Sequence, residues 1–198
     1  NTPFYPEGGG QISDIGTISS KNTKIKVLNV QKINNLILHH TILESGEINV
    51  DDRVQMEVDV LRRKKITINH SSTHLLNQAL REVLGSHVEQ KGSLVTDKYL
   101  RFDFSHNKPL SSDEIASIEK IISNEISACV STKQKVTSYK KAIESGALAF
   151  FDEKYDDEVR VVNIGSNSIE LCGGTHITDT SSIRSVSYTH LRAHETQP

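Results

Sequence analysis

The stretch Asn69-His70-Ser71-Ser72-Thr73-His74-Leu75-Leu76 lies inside a longer pattern, Thr67 to Gly85, that reads as one helix. Ile68, Leu75, Leu76, Ala79, Leu80, Val83 and Leu84 supply its apolar positions, and Gly85 is a natural stop. Residues four apart share a helix face, so His70 and His74 can direct both imidazoles at one ion. A second stretch, Glu170-Leu171-Cys172-Gly173-Gly174-Thr175-His176, places a thiol four residues from a third imidazole across a Gly-Gly turn. His70, His74, Cys172 and His176 together form the soft and borderline donor set that zinc favours. Spacing alone leaves a surface pair or a hydrogen-bonded core pair equally open.

Composition narrows the class. A chain of 198 residues with 35% hydrophobic and 24% charged residues is ordinary for a globular protein of one large or two small domains. No apolar run approaches the roughly 18 residues of a membrane helix, and no signal peptide is visible. Cys129 and Cys172 are too few for a disulfide framework, which fits a cytoplasmic setting. A net charge of −2 offers no global pull on nucleic acid, although Arg62-Arg63-Lys64-Lys65 is a local basic run.

Outward from the helix, residues 1–61 read as a small β-barrel-like domain. Its strands are expected at Lys24 to Val30, Leu36 to Ile42 and Val54 to Val58, parted by polar turns. His39 and His40 fall in one strand as spare histidines. Gly8-Gly9-Gly10 reads as a tight turn; it lacks the lysine and spacing of a phosphate loop. Gly9-Gly10-Gln11 matches the tripeptide of release factors, but its flanks differ from theirs. Arg62 to Lys65 is expected as a basic hinge, solvated or facing phosphates. Residues 62–183 then read as an α+β unit. Tyr99 to Phe104 alternates as a strand, and Ser111-Ser112-Asp113-Glu114 opens a helix with a capping box. That helix turns Ile115, Ile118, Ile121, Ile122 and Ile126 inward, with Cys129 buried near its end. A short helix over Tyr139 to Ser145 stops at Gly146, and Val159 to Ile164 forms a hairpin with Ser168 to Leu171 that delivers Cys172 to a loop.

Several of these blocks recur in order in one family. Thr2-Pro3-Phe4-Tyr5 with Gly9-Gly10-Gln11, Asn69 to Leu76, and Gln90-Lys91-Gly92-Ser93-Leu94-Val95 resemble the editing region of alanyl-tRNA synthetases. So do Arg101 to His106, Glu153-Lys154-Tyr155, Val159 to Val162 and Cys172 to His176. The resemblance runs from about residue 2 to residue 183. It extends to free-standing alanyl-tRNA editing proteins, toward which Pro6-Glu7-Gly8 leans, and to the second additional domain of threonyl-tRNA synthetases. The later blocks favour a synthetase fragment.

The resemblance implies a zinc-binding α/β editing domain that hydrolyses serine or glycine from tRNA(Ala). Such an ester forms because a pocket built for a methyl group cannot strongly reject a similar small side chain. His70, His74, Cys172 and His176 fall on the family's zinc-ligand positions, and whether zinc meets the substrate amine or a water stays open. Gln90 matches a position associated with editing, as a catalytic or orienting amide. Thr73, Gly9 and Gly10 are the expected substrate contacts. The aminoacylation domain, with its ATP and alanine sites, has no counterpart here. Arg184 to Pro198 resembles translated sequencing adaptor and is expected to be a non-native, disordered tail in which His190 and His194 are not ligands. A free-standing editing protein and a non-catalytic, zinc-stabilised tRNA-binding module are the alternatives.

Overall fold

The computed structural model describes residues 2–149, 156–165 and 167–183. The expected disordered tail at 184–198 and the block at 153–155 lie outside them. The chain runs β1 (Gly16–Ser19), β2 (Lys24–Ile33), β3 (Leu36–Ser45), β4 (Gln55–Val58), α1 (Val60–Leu84), β5 (Gln90–Val95) and β6 (Leu100–Phe104). It continues through α2 (Ser112–Ser127), β7 (Lys133–Ser138), α3 (Tyr139–Glu144), β8 (Glu158–Ile164), β9 (Ser168–Leu171) and a 3-10 turn at Thr180–Ser182. Every pairing between these strands is antiparallel, as an α+β fold requires. None of the described helices is long and apolar enough to cross a membrane.

The first four strands form an open sheet in the order β3-β2-β1-β4, and β3 and β4 are not paired, so no barrel closes. The reason is a mismatch of lengths. β2 and β3 have ten residues each, β1 and β4 only four, so the outer half of the β2–β3 hairpin has no third strand beside it. One face of this sheet buries Phe4, Ile18, Ile25, Val27 and Val30. The hairpin turns at Asn34, whose φ of 53° is a conformation asparagine tolerates.

Helix α1 begins seven residues earlier than its apolar periodicity suggests. Asp59 caps it, accepting a hydrogen bond from the Arg62 backbone N–H at 2.9 Å. The expected basic hinge is therefore the helix's own first turns. Cations are unfavourable at a helix N-terminus, and acids offset them here. Arg63 pairs with buried Asp14, and Arg62 lies 3.5 Å from Asp97 and donates to the Ser13 carbonyl. These contacts fasten the N-terminal segment to α1.

The main core joins α1, α2, β6 and β8 through Leu75, Leu76, Leu80, Phe104, Ile118, Ile122, Val162 and Ile164. The capping box on α2 forms as expected: Ser111 Oγ accepts from the Glu114 backbone, and Glu114 accepts from the Ser111 backbone. Cys129, expected to be buried, is exposed, because it follows the helix end in a left-handed turn with φ of 51°. The β8–β9 hairpin forms in the register Val161 to Leu171, with β7 paired on its other side. β1 and β7 escape a periodicity reading because one is four residues long and the other is mostly polar.

Candidate metal centre

The middle of α1 is enclosed on all sides, with His70 to Asn77 buried without a break. That stretch is rich in polar groups, and most find specific partners as burial demands, although Asn77 Oδ1 has none among the described residues. Ser72 and Thr73 hydroxyls donate to the carbonyls of Ile68 and Asn69, each at 2.9 Å. Asn77 Nδ2 donates to Glu170 Oε1 at 2.9 Å. Ser71 Oγ accepts from the Ile177 backbone at 3.1 Å and lies 3.4 Å from His176 Nδ1.

The packing of β8–β9 on this helix brings the two halves of the donor set together. One ligand-capable atom from each of His70, His74, Cys172 and His176 lies within 4.8 Å of all the others, and this cluster can hold a metal ion. Cys172 Sγ is 3.4 Å from His70 Nε2 and 3.2 Å from His176 Nε2. The three imidazoles are held in the same way. Their Nδ1 atoms face Gln11 Oε1 at 2.7 Å for His70, Glu170 Oε2 at 2.6 Å for His74, and Ser71 Oγ for His176. An acceptor on Nδ1 keeps the proton there and leaves Nε2 with its lone pair, the usual outer support of a metal-binding histidine.

Electrostatics in the cluster follow from this packing. Burial disfavours charge on His74, yet the Glu170 carboxylate with Cys172 outweighs it and raises its pKa to about 10. Burial likewise opposes ionisation of Cys172, but its polar contacts with His176, His70 and His74 hold the thiol well below its ordinary range. His176 is pushed down to about 4, by burial first and by charge on His74 and His70, against the pull of Cys172. A thiolate beside neutral His176 suits metal ligation, whereas charged His74 has to release its second ring proton when an ion binds.

The ligand loop is shaped by two further contacts. Arg160 Nε donates to the Cys172 carbonyl at 2.8 Å, and its other end donates to the Gly174 carbonyl. Gly174 presses on His70 so closely that a Cβ there would sit 2.0 Å from the ring's Cε1. Gly173 beside it has no heavy atom within 4 Å of the equivalent position.

His70, His74 and Cys172 open onto a cavity of about 310 Å³. Its wall brings in Thr73, Gln90 and Gly9 of the expected contacts, with Glu7 and Lys32 at the same cavity. No hydrogen bond to another described residue occupies the Gln90 amide. Gly10 does not line the cavity. It holds the tight turn, with φ of 78° and a Cβ position only 2.7 Å from the Ser93 carbonyl oxygen. The turn is closed by hydrogen bonds between Gly8 and Gln11 at 3.0 and 3.1 Å. His39 stays in its strand, hydrogen-bonded to Thr2 at 2.9 Å.

Sequence reading missed Gln11, Glu170 and Asn77. Glu170 carried a signal, since it lies two residues before Cys172 on a strand and so shares its face. Gln11 and Asn77 carried none, because their partners are 59 and 93 residues away.

A family described as "tRNA synthetases class II (A)" matches residues 1–62, and one described as "Threonyl and Alanyl tRNA synthetase second additional domain" matches residues 159–195. The chain is homologous to a region of alanine–tRNA ligases. It is 48% identical over 183 residues to that of Bdellovibrio bacteriovorus and 50% identical over 184 residues to that of Clostridioides difficile. With the Leptospira biflexa enzyme it shares 49% over 182 residues, and each match covers 92% of this chain. The chain spans about one fifth of the length of these curated relatives, 20–21%.

Proposed function

We propose that this chain is the editing region of an alanine–tRNA ligase and hydrolyses the ester that joins serine or glycine to tRNA(Ala). The observation that carries the reading is the shared cavity: the donor set His70, His74 and Cys172 faces the same space as Gln90 and Thr73. The donors fit zinc, with three imidazoles presenting Nε2 and one thiol biased toward thiolate. His70, His74, Cys172 and His176 would hold the ion, which when bound supplies positive charge for a substrate amine or a water.

The chain's own residues do the rest. A volume near 300 Å³ accommodates a small aminoacyl group and part of its ribose, with the nucleic acid outside. The Gln90 amide, not engaged by the described protein, orients the ester or the attacking water. Thr73 donates its hydroxyl hydrogen to Asn69, so its oxygen remains an acceptor for the hydroxyl of a serine substrate. Gly9 keeps its part of the wall free of side-chain bulk, and Gly10 sets the turn that places it.

A second reading is supported by the donor count. Four protein ligands complete a closed tetrahedral site, the pattern of structural zinc, which suits a tRNA-binding module without catalysis. The test is release of serine from pre-charged Ser-tRNA(Ala) by the zinc-loaded chain, with Ala-tRNA(Ala) as control. Loss of serine alone, abolished by Cys172→Ala and reduced at least tenfold by Gln90→Ala, supports the hydrolase. A folded, zinc-loaded chain that binds tRNA and releases nothing supports the module instead.

A further inference from the structure

Gln11 is fully buried and lies outside the cavity wall, so substrate contact does not account for it. Its Oε1 receives the Thr175 backbone N–H at 2.9 Å and the Thr175 hydroxyl at 3.2 Å, and lies 2.7 Å from His70 Nδ1. A backbone N–H can only donate, so the Thr175 contact settles which end of the amide carries the oxygen. That oxygen can only accept. His70 must therefore keep its proton on Nδ1, and its lone pair falls on Nε2, the nitrogen 3.4 Å from Cys172 Sγ. The amide nitrogen of Gln11 is buried with no partner among the described residues, so the oxygen is the atom the site uses.

We propose that Gln11 is a positioning residue for the metal centre, holding His70 in its ligating tautomer and fastening the Cys172–His176 loop through Thr175. The inference rests on the zinc reading above. Gln11 belongs to the N-terminal segment, which is joined to β5 by the Ile12 N–H to Val95 carbonyl bond at 3.1 Å and the Val95 N–H to Gly10 carbonyl bond at 2.8 Å. The outer support of the ligand set is thus complete only when that segment is docked. The Gly-rich turn at the cavity and the metal centre behind it form one mechanical unit.

The experiment measures zinc affinity of the full chain by chelator competition, together with the absorption spectrum of the cobalt-substituted protein. Gln11→Met fills similar volume without the acceptor, and Gln11→Glu keeps an acceptor at the same reach. Loss of an outer-sphere partner typically weakens metal binding 10–100-fold, so the Met variant is expected to fall by about that factor and to alter the cobalt spectrum. Gln11→Glu is expected to restore both, since the amide nitrogen it replaces has no partner. Should Gln11→Met fail to fold, Gln11→Asn, which withdraws the acceptor by one bond, carries the same expectation. A folded Met or Asn variant with wild-type affinity and spectrum overturns the proposal. So does equal weakening by the Glu variant, which would make the role one of packing. A wild-type chain that takes up no zinc overturns the zinc reading itself, and this inference with it.

Discussion

Glu170 Oε2 lies 2.6 Å from Nδ1 of His74, with both side chains at least 96% buried. Asn77 Nδ2 binds the other carboxylate oxygen at 2.9 Å, so a residue of β9 is pinned by two residues of α1. Glu170→Gln sets an amide N–H against the His74 N–H or gives up Asn77. Breaking a buried charged pair typically costs about 3–5 kcal/mol, and losing a histidine's outer partner weakens metal binding about 10–100-fold. Denaturant unfolding of the metal-free chain and chelator competition on the loaded chain measure the two losses separately.

The two glycines of the ligand loop are expected to behave oppositely. Gly174→Ala places a methyl 2.0 Å from the His70 ring, so the ring must move and zinc affinity should fall at least tenfold. Gly173→Ala meets nothing within 4 Å and should leave affinity and Tm close to wild type. Isothermal titration of both variants with zinc decides it.

Asp14 ties the N-terminal segment to α1. It is buried, accepts the Tyr5 backbone N–H at 2.6 Å, and pairs with Arg63, which is partly exposed. Asp14→Ala removes the acceptor shared by the Tyr5 backbone N–H and Arg63, which retains its bond to the Pro3 carbonyl, at a cost of about 2–3 kcal/mol after allowance for solvent at Arg63. Thermal unfolding followed by circular dichroism should show that loss, and zinc affinity should drop with it because Gln11 lies three residues away.

The capping box of α2 predicts a pH signature. Glu114 accepts from the Ser111 backbone and hydroxyl and pairs with Lys108, contacts that lower its pKa from 4.5 to about 2. The folded state therefore favours the carboxylate, and its contribution is complete above the unfolded value of 4.5 and fades as pH falls toward 2. The Tm difference between wild type and Glu114→Gln should be greatest above pH 5 and shrink by pH 3.

Sequence reading succeeded where the cause is local. The i,i+4 relation of His70 and His74, the Ser111–Glu114 box and the β8–β9 hairpin each depend on neighbours within a few residues, and each forms as expected. It faltered at element ends and turns, where a cap, a turn conformation or a distant partner overrides the apolar pattern. The apolar rhythm begins at Thr67, but α1 starts at Val60 because Asp59 caps it and Asp14, about 50 residues away, neutralises Arg63. Cys129 looks like a core residue by type, yet a left-handed turn leaves it exposed.

By itself, then, the sequence determined the donor types, the shared face of two histidines and the order of the elements, all set by backbone periodicity and local hydrogen bonding. Tertiary structure alone decided that Cys172 meets His70 across 102 positions, and which acceptor holds each ring. A histidine's ligating nitrogen is chosen by the partner of its other nitrogen. Those partners, Gln11 among them, arrive only when the N-terminal segment, α1 and β9 pack together.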